Sequence, residues 1–374
     1  MFSILHETHV RLPYSRGRLR QALLAVIGTA ISFGSEPVMA QQDPALTRPV
    51  STTDAAHDAH ARVLAAAKAF LDTLSSEQRA IASIDYSPAN AARWHTYPDA
   101  TLGPGRKRLG LRLETLSQDQ WAAFDDLLDA ALGSAPDEGA DEVRQHLSID
   151  DYLRRDGTRT DYGRGEFKIA FLGTPSTTGL WALQFGGHHL AVLNTYSGGL
   201  PIGATPSFRG MEPLTEVRYG GRRMAPQLQE HRAFAALLAS LDAAQLDRAR
   251  LRRRGGLMMA GRDWDFPAQQ DGLPASALND GQRRLLLDAM RTFVGDADDA
   301  TADAFMEKYR AELDRTYLGY AGSPDLAHVG DYVRIDGPSV WIEFDMDPPY
   351  STDQPHPHAL WRDKEADYGG IRGR

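Results

Sequence analysis

The chain has 374 residues, 41 Lys+Arg against 50 Asp+Glu, and no cysteine. A net charge of −9 argues against a general nucleic-acid binder, which needs a basic surface to displace counterions. The missing thiols exclude disulfides, Cys-ligated zinc, iron–sulfur clusters and thiolate nucleophiles.

Arg11, Arg16, Arg18 and Arg20 precede an apolar stretch over 22–33, and Val38-Met39-Ala40 offers a cleavage site before Gln41. This layout predicts a signal peptide over 1–40 and a periplasmic or secreted mature protein. The apolar run, about 12 residues, is short of the ~20 that span a bilayer, and no later stretch is long and apolar enough. Removal of the segment takes four Arg and two Glu, which leaves 37 basic against 48 acidic residues. Residues 41–54 are polar and read as a flexible lead-in. From 55 to 374 a single domain is expected, because no long Gly/Ser/Pro linker divides the chain between Thr115 and Ile335.

Residues 55–74 form a strong helix pattern, with Val63, Ala66, Ala67, Phe70 and Leu74 at the spacing of one buried face. A short element over 75–84 and a Pro/Gly-rich loop to Gly105 follow. Ser117 opens another helix whose stripe is Trp121, Phe124, Leu127, Leu128 and Leu132; 143–154 makes a third. Strands are predicted over 167–171, 180–185 and 189–194. Helices return over 231–241, 243–254, 281–294 and 299–317. Strands over 332–335 and 339–344 flank the turn Asp336-Gly337-Pro338. This order predicts an α+β fold: a helical N-terminal part and helical insertions packed on a largely antiparallel sheet.

In a Cys-free chain histidine is the most informative marker. Two tight clusters stand out, His188-His189 and His356-Pro357-His358. In an extended segment the side-chain period is two, so His356 and His358 point the same way and suit one metal ion; a solvated loop between Pro355 and Pro357 is the alternative. His188 and His189 follow two glycines and open an apolar strand. Their rings would face opposite sides there, unless the glycines permit a bulge. Glu343, inside Trp341-Ile342-Glu343-Phe344-Asp345, must be paired, metal-bound or exposed, since an unpaired buried charge is costly. Arg362 offers a guanidinium fork for a substrate anion, or a salt bridge with Asp363 or Asp367. The basic run Arg106-Lys107-Arg108 reads as a solvated loop or an anion contact. No nucleophile elbow, Walker A loop, H-E-x-x-H or G-x-G-x-x-G is present.

These residues resemble a bacterial family of unknown function, DUF3500. The shared stretches include Arg93-Trp94, Arg108-Leu109-Gly110-Leu111, Gly186-Gly187-His188-His189-Leu190 with Asn194, and Thr205-Pro206-x-Phe208-x-Gly210. They continue through Tyr332-x-Arg334-Ile335-x-Gly337-Pro338, Ile342-Glu343-Phe344 and His356-x-His358-x-x-Trp361-Arg362-Asp363-x-x-x-Asp367-Tyr368-Gly369. The resemblance implies that both His pairs, Glu343 and Arg362-Asp363 belong to one pattern. It departs in one place: the family continues with apolar residues and another His where this sequence reads Gly373-Arg374.

Three functions follow as expectations. The first is a metal-dependent hydrolase acting on a small molecule or peptide. Its divalent ion, zinc by preference, is held by His188, His189, His356, His358 and Glu343, and it activates water. Glu343, Arg362 and Asp363 form the catalytic set, with Asp345 or Asp363 as general base and Arg362 steadying the oxyanion. The second is a copper- or iron-dependent oxidoreductase. The third is a non-enzymatic metal- or ligand-binding protein. Oligomeric state is not legible.

Overall fold

Helix α1 (Asp54–Thr73) begins where its apolar periodicity predicts, because the Thr53 side chain accepts the Ala56 N–H and caps the first turn, worth about 1 kcal/mol. Its buried face includes Ala59, Val63, Ala67 and Phe70. Just before it, the Val50 N–H donates to the Pro201 carbonyl, so the end of the lead-in is tied down. The computed structural model describes residues 48–155, 159–252, 256–260 and 265–371. The predicted signal segment 1–40 lies outside the described residues.

In chain order follow α2 (Ser76–Ala82), β1 (Ser83–Ile84), α3 (Pro88–Ala91), β2 (Leu111–Arg112), α4 (Gln118–Ala131) and α5 (Gly139–Arg154). Ser117 and Gln120 close a capping box at the start of α4. Then come β3 (Lys168–Leu172), β4 (Trp181–Gly187), β5 (Leu190–Ser197), β6 (Leu200–Gly203), β7 (Ser207–Gly210), and the small hairpin β8 (Val217–Tyr219) and β9 (Arg222–Met224). The remaining elements are α6 (Leu228–Ala239), α7 (Ala243–Ala249), β10 (Leu273–Pro274), α8 (Asp280–Val294), α9 (Asp299–Ala311), β11 (Tyr317–Ala321), β12 (Tyr332–Asp336), β13 (Val340–Asp347) and β14 (His356–Asp363).

The result is an α+β fold built on one twelve-stranded sheet in the order β1-β3-β4-β5-β7-β14-β13-β12-β11-β10, with β2 on β3 and β6 on β5. Every pairing is antiparallel except β1 with β3. The predicted hairpin around Gly337 is present: the Gly337 N–H donates to the Val340 carbonyl, and β12 pairs with β13. Several boundaries differ from expectation; the helix predicted over 243–254, for one, ends at Ala249. The helix predicted over 299–317 ends at Ala311, because Tyr317-Leu318-Gly319-Tyr320-Ala321 pairs with β12 instead. The segment from His356 is a full strand, disguised in sequence by Pro355 and Pro357. Pro357 falls where β7 has ended, so its missing N–H breaks no rung of the β13 ladder.

Period-two alternation sorts the sheet into two faces. One face carries Ile169, Phe171, Leu183, Phe185, Leu190 and Val192 beneath α1, α4 and α5, and Ile335, Ile342, Phe344 and Trp361 beneath α6, α8 and α9. Each such side chain contributes about 1.5–3 kcal/mol on burial. Arg209 faces these helices too, paired with Glu142 at 2.8 Å and Asp296 at 3.0 Å, which fastens β7 to α5. The other face has a smaller apolar patch, with Ala191, Phe208, Leu360 and Trp341. Beside it lie Glu343, Asp345, His356, His358 and Arg362, all buried. The histidines of β14 thus lie on the face opposite the helices.

Candidate metal centre

His188 and His189 form the two-residue turn of the β4–β5 hairpin, just beyond the Gly187–Leu190 pair. They do not open a strand with rings on opposite sides. His189 adopts φ +57°, a left-handed conformation rare for a residue with a side chain. The two rings stack with centroids 3.9 Å apart. The preceding glycines serve close approach: a β-carbon would come 2.4 Å from the Leu190 carbonyl oxygen at Gly186, and 2.4 Å from the Phe167 ring at Gly187. Arg108, expected in a solvated loop, is buried. It donates to the carbonyls of His95, Tyr97 and Gly187 and pairs with Asp99 at 3.0 Å, clamping the turn from behind.

Across the sheet, β14 presents His356 and His358 on one face. In register, His358 lies between Asp345 of β13 and Gly210 of β7. One rung further, Met211 N–H donates to the Pro357 carbonyl, so Glu212 comes opposite His356, whose other neighbour is Asp347. Without a side chain at Gly210, the hairpin turn can lay His189 against His358. Ring nitrogens of His189, His356 and His358 lie within 4.8 Å of one another. Nε2 of His189 and Nε2 of His358 are 3.1 Å apart. Two nitrogens bound at ~2.0–2.1 Å to one tetrahedral ion are roughly 3.3 Å apart, so this edge is close to that of a shared ion. Asp347 Oδ2 sits 2.9 Å from Nδ1 of His358. That contact holds the proton on Nδ1 and leaves the Nε2 lone pair for a metal.

The electrostatics favour neutral imidazoles at His189 and His356. Burial, with the nearby charges of His188, His358 and His356, pushes His189 well below its usual value. Burial and His358 bring His356 down to about 4. Burial pushes Asp347 up, but the hydrogen bond and charge of His358 outweigh it and leave the carboxyl at about 2.

His188 supports the cluster and lies outside the donor group. Its Nδ1 is 2.7 Å from Asp150 Oδ1, and its ring is sandwiched between Tyr162, at 4.0 Å, and His189. Beyond Tyr162 the stack continues outward: the Arg159 guanidinium lies 5.6 Å from the Tyr162 ring and 4.1 Å from that of Tyr350, which is exposed.

The structure does not bring Glu343, Arg362 or Asp363 into this cluster. Glu343 is in register with Leu360, two residues along β14 from His358. Its Oε1 accepts from Met258 N–H and the Tyr332 hydroxyl, and its Oε2 from Met259 N–H and the Trp341 indole. Arg362 pairs with Asp367 and donates to the Met259 carbonyl. Asp363 points to the helical face, where it meets Lys308, the Tyr309 hydroxyl and the N–H groups of Glu365 and Ala366. Asp345 accepts from the Gly256 N–H.

Sequence reasoning missed Asp150, Glu212 and Asp347. Asp347 was within reach, since Glu343, Asp345 and Asp347 share one strand parity. Glu212 lies two residues beyond the Gly210 that closes its motif. A second group, Asp325, His328 and Asp331, also brings three donor atoms within 4.8 Å. It serves its own loop: Asp331 accepts from Ser323 N–H, the Ser323 hydroxyl and His328 N–H.

Residues 56–370 match the profile of a family described as protein of unknown function, DUF3500. The chain belongs to that family. No curated protein and no solved structure matches it. Among the described residues no helix is long and apolar enough to cross a membrane.

Proposed function

We propose that this DUF3500 protein is an exported metal-dependent hydrolase whose divalent ion is held by His189, His356 and His358. One observation carries the reading: three buried imidazoles from distant parts of the chain converge on one point, one of them backed by Asp347. Neutral imidazole is the ligand form, and an all-nitrogen triad favours zinc with a position left for substrate. Such an ion would supply Lewis acidity. The protein's own residues do the positioning. Asp347 selects the His358 tautomer, Asp150 and Tyr162 hold His188 beneath His189, and Arg108 fixes the turn. Its substrate is a small molecule or peptide. Export is supported by the basic, apolar and small-residue order of segments within 1–40.

A copper or iron oxidoreductase is the second reading. The observation favouring it is the stack from His189 through His188, Tyr162 and Arg159 to exposed Tyr350. Elemental analysis of tag-free protein from the exported fraction tests both. One zinc per chain, with hydrolysis of an ester and peptide panel lost to chelator and restored by zinc, is the expected result. Redox-active copper or iron selects the second reading. Absence of any ion that His189→Ala, His356→Ala or His358→Ala removes would end both.

A further inference from the structure

We propose that Glu212 is the carboxylate donor of this centre: its Oε2 joins His189, His356 and His358 at the ion, while its Oε1 ties the 350–352 loop to the same site. The inference rests on the metal reading above and assigns a residue that the sequence pattern gave to Glu343.

Three observations place it. Glu212 follows the last rung of β7, and the Met211–Pro357 bond carries the register on so that it faces His356 on the same side of the sheet. Cross-strand partners of this kind hold their β-carbons ~4.5–5.5 Å apart. Second, Glu212 is 1% exposed, so its charge is not dispersed into water. Third, its two oxygens are used unequally. Oε1 accepts from the N–H groups of Tyr350, Ser351 and Thr352, at 2.8, 2.6 and 2.8 Å. Oε2 is buried with no hydrogen-bond partner, and so is Nδ1 of His356. A buried acceptor left unsatisfied is unfavourable, and a cation drawn to the imidazoles would satisfy it.

The 4.8 Å donor group comprises the three imidazoles. Glu212 therefore completes the set by turning its side chain, with Oε1 as the pivot. Glu343 offers the opposite case, with both oxygens engaged by four donors. A three-histidine, one-carboxylate set carries a single negative charge against a divalent ion, and substrate would then be reached by expansion to five-coordination. It also couples loading to the loop that bears Tyr350 at the surface.

The test uses full-length mature protein, stripped with chelator and reloaded with Co²⁺ or Zn²⁺. Glu212→Gln is expected to weaken metal affinity by at least roughly 10-fold, the lower end of what loss of an outer-shell partner costs, and to change the visible Co²⁺ spectrum. Glu343→Gln should leave the spectrum unchanged. In the wild type, loading should slow hydrogen exchange at the amides of 350–352. Wild-type affinity and spectrum in folded Glu212→Gln, or no change at 350–352 on loading the wild type, would overturn the assignment. The exchange readout decides the matter even if the variant does not fold. A wild-type protein that takes up neither ion instead overturns the metal reading itself.

Discussion

Gly210 lies directly opposite His358, and a β-carbon there would come 2.8 Å from Cδ2 of that imidazole and 3.1 Å from the His189 ring. The glycine is the gap through which the hairpin turn reaches β14. Gly210→Ala should therefore separate His189 from His358. Overpacking of this kind costs about 1–3 kcal/mol. Thermal unfolding with and without zinc checks it: the melting temperature falls, and the zinc-induced rise disappears.

Asp347 contacts Nδ1 of His358 and is the cross-strand neighbour of His356. Asp347→Ala frees the His358 tautomer and should weaken zinc binding by roughly 10–100-fold, with apo stability little changed because Asp347 is partly exposed. Competition titration against a chromophoric chelator gives the number. Unchanged affinity would show that the tautomer is set by something else.

Metal-free protein should lose stability as pH falls from 7 towards 4. His356 sits at about 4 when folded, through burial first and the charge of His358 second, and near ~6.5 when unfolded. On acidification the unfolded chain takes the proton first. The contribution is therefore whole above about 6.5 and lost progressively down to about 4, on the order of 3 kcal/mol for one such group. Glu212 and Asp347 flank His356 and soften the effect; the charges of His358 and His188 reinforce it. Urea unfolding at stepped pH, compared with His356→Gln, isolates the contribution of this imidazole. A variant with the same slope as wild type would contradict this assignment.

Glu343→Ala separates stability from binding. It removes the acceptor for the Tyr332 hydroxyl, the Trp341 indole and two backbone N–H groups beneath the 256–260 segment. Buried donors left unsatisfied cost ~1–3 kcal/mol each, so a loss of at least about 3 kcal/mol is expected in urea unfolding. Zinc affinity of the folded fraction should stay within about two-fold of wild type, since the lost bonds are remote from the donors.

Much of the helical layer was legible because helices such as α1 and α4 announce themselves twice, by an apolar stripe and by a cap, Thr53 or Ser117. The strands around Gly337 were legible for the same reason, a turn between two alternating runs. The site was half legible. His356-x-His358 on a strand follows from period two alone, whereas the roles of His188 and His189 depend on a turn conformation that neighbouring residue types do not dictate. Glu343 was a reasonable choice as a buried carboxylate in an apolar strand. What decides its role is the four donors around it, two of them backbone amides brought from 84 and 85 residues away. Local pattern cannot encode such partners, and the same limit hid Glu212, whose meaning comes from a register shared with β14.

The sheet is assembled from two halves of the chain, β1 to β7 and β10 to β14, joined through β7 against β14. His189 belongs to the first half and His356 and His358 to the second, so the centre straddles the seam. An ion there would act as a staple closing a loop of 169 residues between His189 and His358. The donors cannot meet until both halves are complete and zipped together. A chain threaded unfolded through a translocation pore would carry them separately, one long after the other. Its metal would then be drawn from the supply of the compartment where the sheet closes, and not from the one where the chain was made.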